Sequence, residues 1–101
     1  MKFTTQVEDR TGTIRLEGRF TFEAHPAFRS TTQGLLGIPG LNRLILDMEH
    51  IVHMDASSLG AILLLREATL PRATIALRRP SPSVMALLRI VQFEKIFEII
   101  P

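Results

Sequence analysis

The chain has 101 residues, enough to bury one hydrophobic core and too few for two. Hydrophobic residues make up 46% and charged residues 22%, the balance of an ordinary globular domain, which argues against disorder. The net charge of +2 is too small, and Arg and Lys too scattered, for a nucleic-acid footprint. The basic pI of 9.9 reflects missing Cys and Tyr, since little loses a proton between the His titration and that of Lys. The lack of cysteine excludes disulfides and thiolate metal sites or nucleophiles. The stretch Met1 to Arg10 lacks the apolar run of a signal peptide, and no segment reaches membrane-spanning length. A cytoplasmic protein without membrane insertion is the expectation.

Phe3, Thr5 and Val7 alternate with polar residues, Asp9-Arg10-Thr11-Gly12 is turn chemistry, and Ile14 and Leu16 alternate with Arg15 and Glu17, which predicts a β-hairpin. A helix is expected to start close to Pro26, to carry Phe28, Thr32, Leu35 and Leu36 on one face, and to be ended by Gly34, Gly37, Pro39 and Gly40. Leu44 to Leu46 reads as a central strand covered on both faces. Helix two follows from about Ser57 to Ala68, with Leu59, Ile62, Leu63, Leu64 and Leu65 apolar on more than one side, so that deep burial is expected. Thr74 to Leu77 reads as the next strand. Ser81 before Pro82 is an N-cap with proline in first position, and Val84, Leu87, Leu88 and Val91 form the stripe of helix three. A short strand from Phe97 to Ile100 completes a β-β-α-β-α-β-α-β order. Right-handed crossovers then give an α/β fold: a mixed, mostly parallel sheet with helices packed against it, in a single domain over residues 1–101.

The most informative junction is Asp55-Ala56-Ser57-Ser58, where a strand passes into an apolar helix. Asp and hydroxyl side chains there can satisfy helix N–H groups that have no intrahelical partner, and the helix dipole favours negative charge, including a phosphate. The strand, this Asp-Ser loop and the Leu59-Gly60 apolar helix resemble the signature of STAS domains, in particular the bacterial anti-sigma-factor antagonists. Arg15-Leu16-Glu17-Gly18-Arg19-Phe20 is similar to the family's second strand with its Gly, and Arg79-Pro80-Ser81-Pro82-Ser83-Val84-Met85-Ala86-Leu87-Leu88 to the segment before and into its third helix.

The resemblance implies a non-enzymatic interaction module of a partner-switching pathway. Its partner is an anti-sigma factor of the serine-kinase type, whose capture releases a sigma factor or other client, and a serine phosphatase joins the cycle. Switched members typically read Asp-Ser-x-Gly-Leu-Gly at the junction. An ungapped match puts Ala56 on the phospho-accepting serine, leaving Ser57, and second to it Ser58, as acceptor candidates. Thr21 stands where switched members often carry an acidic residue. The expected partner surface comprises Asp55, Ala56, Ser57 and Ser58, the side of helix two around Arg66 and Glu67, and the loop of Phe20, Thr21 and Phe22. Ala56 keeps open a second reading, a constitutive STAS subunit of a larger assembly such as an ABC-type lipid-transport complex or a sensory scaffold.

Asp47, Glu49, His50, His53 and Asp55 form an acid-and-imidazole cluster, but His50-x-x-His53 lacks the helical spacing of zinc hydrolases; the segment reads as strand and loop, its polar groups as solvated loop groups. His25 is isolated. Ala56-Ser57-Ser58-Leu59-Gly60 lacks the first glycine of a nucleophile elbow, and Gly34-x-x-Gly37-x-x-Gly40 is followed by no Lys-Ser/Thr pair. No catalytic residue, metal or cofactor is therefore expected.

Overall fold

Period-two alternation on either side of a polar turn produces the hairpin. Strand β1 (Lys2–Glu8) pairs antiparallel with β2 (Thr11–Phe20), from Lys2 opposite Glu17 to Glu8 opposite Thr11. The turn is Asp9-Arg10 alone, with Asp9 in the left-handed region at φ 56°. Gly12, read as turn, is instead a buried strand residue, where an added Cβ would lie 3.0 Å from Leu41 Cδ1. Of the alternating apolar positions in β1 only Phe3 packs on the core, while Thr5 and Val7 are exposed.

The computed structural model describes residues 1–101. After the hairpin come α1 (His25–Leu36), β3 (Arg43–Met54), α2 (Ala56–Thr69), β4 (Thr74–Arg78), α3 (Pro82–Ile90) and β5 (Glu98–Ile100). The five strands lie in sequence order, β2 to β5 all parallel, so the mixed, mostly parallel sheet is as expected. Because every crossover advances the same way across the sheet, right-handedness puts all the helices on one face. Burial agrees: Leu16, Leu46 and Leu77 of that face join Phe28, Ile62 and Leu88 of the helices in one cluster of 23 buried residues. Ala76 is buried outside that cluster, on the opposite face.

The opposite face is open, which corrects the expectation that Leu44 to Leu46 is covered twice: Ile45 is only half-buried. Charged groups bind the strands together there. Asp47, only 1% exposed, accepts from Arg78 Nη2 at 3.1 Å and from the Glu49 backbone N–H at 3.2 Å, with Arg15 Nε at 3.9 Å. Arg43 Nη2 reaches across β4 to Glu98 Oε1 at 2.9 Å.

The polar run after Leu46 is strand rather than loop. Relative to β2, β3 gains one residue between Asp47 and His50 and another between Ile51 and His53. Such bulges break the two-residue alternation: the buried positions Leu44, Leu46 and Met48 give way to Ile51 and Met54, every third residue. Gly18, at φ 105°, stands in β2 where the second bulge falls. Of the acid-and-imidazole residues, Asp47 is buried under arginine, whereas Glu49 and His50, 3.5 Å apart, and His53 are exposed.

Helix α1 buries Phe28, Thr32, Leu35 and Leu36 as expected, but it runs through Gly34 and stops at Gly37. Helix α2 covers the sheet with Leu59, Ile62 and Leu65, whereas Leu64 is 64% exposed. The expected deep burial fails at Leu64 because the helical layer leaves that side of α2 open. Helix α3 begins as read, with Ser81 Oγ accepting from the Val84 N–H at 3.4 Å and Pro82 in first position. Its last turn ends at Ile90, so Val91 falls outside the stripe and is exposed.

Candidate functional site

Phe20 and Met54 end β2 and β3 side by side, so the segments after both strands meet beyond their carboxyl ends. Asp55 joins them. Its extended backbone (φ −95°, ψ 168°) makes it the N-cap of α2. Its Oδ1 accepts from Ser57 Oγ at 2.7 Å, Ser58 Oγ at 3.0 Å and the Ser58 N–H at 3.1 Å. Oδ2 accepts the Phe22 N–H at 3.3 Å, and the Asp55 N–H donates to Phe20 O at 3.3 Å. Desolvation acts to raise the Asp55 pKa, but the hydrogen bonds from Ser57, Ser58 and Phe22 outweigh it and hold the carboxyl below its ordinary value.

The two serines have different surroundings. Ser58 is fully buried, and its Oγ lies 2.7 Å from Phe20 O and 2.9 Å from His25 Nε2. A hydroxyl has one proton to give, shared between Phe20 O and Asp55 Oδ1, and Oγ accepts from His25 when Nε2 carries its proton. Ser58 therefore ties the ends of β2, α1 and α2 together. No solvent reaches its oxygen, so of the two acceptor candidates only Ser57 is accessible. Ser57, one helical step round, is exposed. Ser58→Ala is expected to destabilise the fold by about 1–3 kcal/mol, because it removes the buried hydroxyl's hydrogen bonds to Phe20 O, the Asp55 carboxylate and His25 Nε2, and Ser57→Ala by under about 1 kcal/mol. Urea unfolding of both variants checks this.

The loop after β2 divides in the same way. The Phe20 ring is wholly buried, 5.0 Å between centroids from Phe28 and 5.9 Å from the His25 ring, so it is core and not partner surface. Thr21 is half-buried, and Phe22 is 65% exposed. Arg66, half-exposed, lies on another side of α2. Nine residues after Ser57 it points half a turn away, donating from Nε to Ile96 O at 3.3 Å with its guanidinium 6.0 Å from the Phe97 ring centre. Glu67 and Ala56 are exposed.

Two contributors escaped the sequence reading. His25 comes from far along the chain to Ser58, and Leu64 stands on the same side of α2 as Ser57. Ser57, Gly60, Ala61, Leu64 and Ala68 follow helical spacing, and the small members leave a groove of about 530 Å³ between α1 and α2, bounded on the other side by His25, Phe28 and Leu36. That row of small residues was the available signal.

An open-ended mostly parallel sheet with helices on one face and an Asp-capped, serine-bearing helix at the strand ends defines a class of small α/β domain. The STAS domain model matches residues 2–101, and this chain belongs to that family. It is 39% identical over 88 residues to a STAS-domain containing protein of Pseudomonas aeruginosa (strain UCBPP-PA14), covering 86% of this chain and 85% of that one. Solved structures share the fold. A candidate anti-sigma factor antagonist from Thermotoga maritima superposes with a TM-score of 0.87 at 20% identity, over 98% of this chain and 86% of its own. An anti-sigma factor antagonist from Mycobacterium paratuberculosis gives 0.86 at 13% identity, over 99% and 85%. The phosphorylated form of the Bacillus cell fate determinant SpoIIAA gives 0.74 at 22% identity, over 99% and 92%.

Proposed function

We propose that this STAS domain is a partner-switching module that binds a kinase-like anti-sigma factor and so releases a sigma factor or other client in the cytoplasm. Its contact surface is Phe22, Thr21, Asp55, Ala56 and Ser57, continuing along α2 to Leu64 and Glu67. Ser57 is the phosphorylated residue, and a serine phosphatase restores binding. The observation that carries this reading is the exposed Ser57 hydroxyl in the first turn of α2, bonded to the same Asp55 that holds Phe22. The fold shared with anti-sigma factor antagonists supports it; among them is SpoIIAA, which is also solved in its phosphorylated form.

The chemistry of the switch is local. Phosphate adds about −1.5 to −2 charges, which the N-terminus of α2 tolerates. It also removes the Ser57–Asp55 hydrogen bond and sets like charges together, so Asp55 turns and loosens the Phe22 anchor. Ser58, its own Asp55 contacts and Phe20 O keep the helix start in place. The chain acts by binding rather than catalysis, without a cofactor: Asp55 bonds Ser58 instead of orienting His25, and Ser58 is buried, so the three do not form a nucleophile, base and orienting acid in series. Ala56 favours the second reading, a constitutive subunit beside an ABC-type ATPase. Affinity capture from the native host with mass spectrometry separates the two. The anti-sigma factor is expected with the wild type and lost with Ser57→Asp and Phe22→Ala. Equal capture of an ATPase by all three supports the subunit.

A further inference from the structure

We infer that the free edge of β1 pairs with the same edge of a second copy of this chain, joining two sheets across a two-fold axis through Thr5. The two sheet edges differ. Strand β5 has three residues, whereas β1 runs unbroken against β2 for all seven, with no proline and no bulge. A long, flat, unprotected edge is a template for another strand. The sequence of β1, Lys-Phe-Thr-Thr-Gln-Val-Glu, is complementary to itself when antiparallel and centred on Thr5. Lys2 then faces Glu8, Phe3 faces Val7 and Thr4 faces Gln6, in both halves.

This register also satisfies the faces of the sheet. Phe3, Thr5 and Val7 share the helical face with Leu16, Ile14 and Gly12, their partners in β2. Pairing across the axis keeps that face on one side in both copies. Val7, 44% exposed, is covered by the partner's Phe3, itself packed on Phe28 at 6.4 Å between ring centres. Centring on Thr4 leaves Glu8 unpaired, and centring on Gln6 sets Lys2 against Arg10. Parallel in-register pairing sets Lys2 on Lys2. Opposite charges and apolar pairs directly across strands are favourable, and like charges unfavourable. Two strands of this length bury less than a standard interface of about 1,600 Å², so the dimer is weak and concentration-dependent.

Because the chain has no cysteine, Thr5→Cys places a single thiol on the axis. Directly opposed residues have Cα atoms about 4.5–5.5 Å apart, within the span of about 4.4–6.8 Å that a disulfide needs. Val7→Cys is the control, since its copies are offset by about 13 Å along the strands. Mild oxidation of the full chain at high micromolar concentration is expected to give a covalent dimer of Thr5→Cys and leave Val7→Cys monomeric. In sedimentation equilibrium of the cysteine-free protein, Glu8→Lys is expected to weaken self-association several-fold with the circular dichroism melt retained. Equal cross-linking of both cysteine variants, no cross-linking of either, or a wild type that sediments as a monomer at every concentration would overturn the proposal and leave the edge to a strand of another protein.

Discussion

Phe20→Ala is expected to lower the unfolding free energy by about 3–5 kcal/mol, while Phe22→Ala, two residues on, changes it by under about 0.5 kcal/mol. The contrast follows from burial. Phe20 fills the junction of β2, α1 and α2 against Phe28 and His25, whereas Phe22 projects into solvent. Removing the Phe20 ring also opens space beside His25, whose Nε2 lies 2.9 Å from Ser58 Oγ. Chemical denaturation with fluorescence-independent detection, such as circular dichroism, measures both variants. A binding loss in Phe22→Ala with an unchanged midpoint then belongs to the surface and not to the fold.

The second large effect is at Asp47. Asp47→Ala strands Arg78 and Arg15 on the open face and frees the Glu49 N–H, with an expected loss of about 3 kcal/mol. This is the low end for breaking a buried pair, because both guanidinium groups can turn to solvent. Desolvation acts to raise the Asp47 pKa, but the Glu49 N–H, the Arg78 hydrogen bond and the Arg78 and Arg15 charges outweigh it, so the folded pKa lies below the ordinary value of 3.8. The sign for pH follows from this. The stability contributed by ionised Asp47 is fully present above the unfolded pKa and is lost as pH falls through the lower folded pKa. Asp55, shifted the same way by its serine and Phe22 contacts, adds to the same acid limb. Melting temperature is therefore expected to fall below about pH 4, and Asp47→Asn to flatten that fall. An acid limb of equal steepness in Asp47→Asn would remove Asp47 as its source.

Element order and the core faces of the helices were legible because they rest on local periodicity. Phe28, Thr32, Leu35 and Leu36 repeat at helical spacing, and Ser81-Pro82 encodes a helix start by hydrogen bonding and fixed φ. The bulges of β3 were not legible, since an extra residue in a parallel strand leaves no pattern but a lapse of alternation, and the charged run from Asp47 to His53 reads equally as loop. Which face of the sheet stays open follows from the direction of crossovers, a property of the strand order rather than of any segment. At the site, Asp55 was identifiable as a cap. The division of labour between Ser57 and Ser58 was not, because it depends on Phe20 O and His25, which lie 38 and 33 residues away in sequence. Arg66 illustrates the same point: helical phase sets it half a turn from Ser57, against Ile96 O and the Phe97 ring.

Calorimetric titration of the captured anti-sigma factor into the wild type, Ser57→Ala and Ser57→Asp tests the functional reading most directly. Ser57→Ala is expected to bind within a few-fold of the wild type, since it adds no charge to the surface. Ser57→Asp is expected to bind at least about tenfold more weakly, a difference of about 1.4 kcal/mol, with its melting temperature nearly unchanged. Equal affinity of all three proteins would contradict the assignment of Ser57 as the switch at the partner surface.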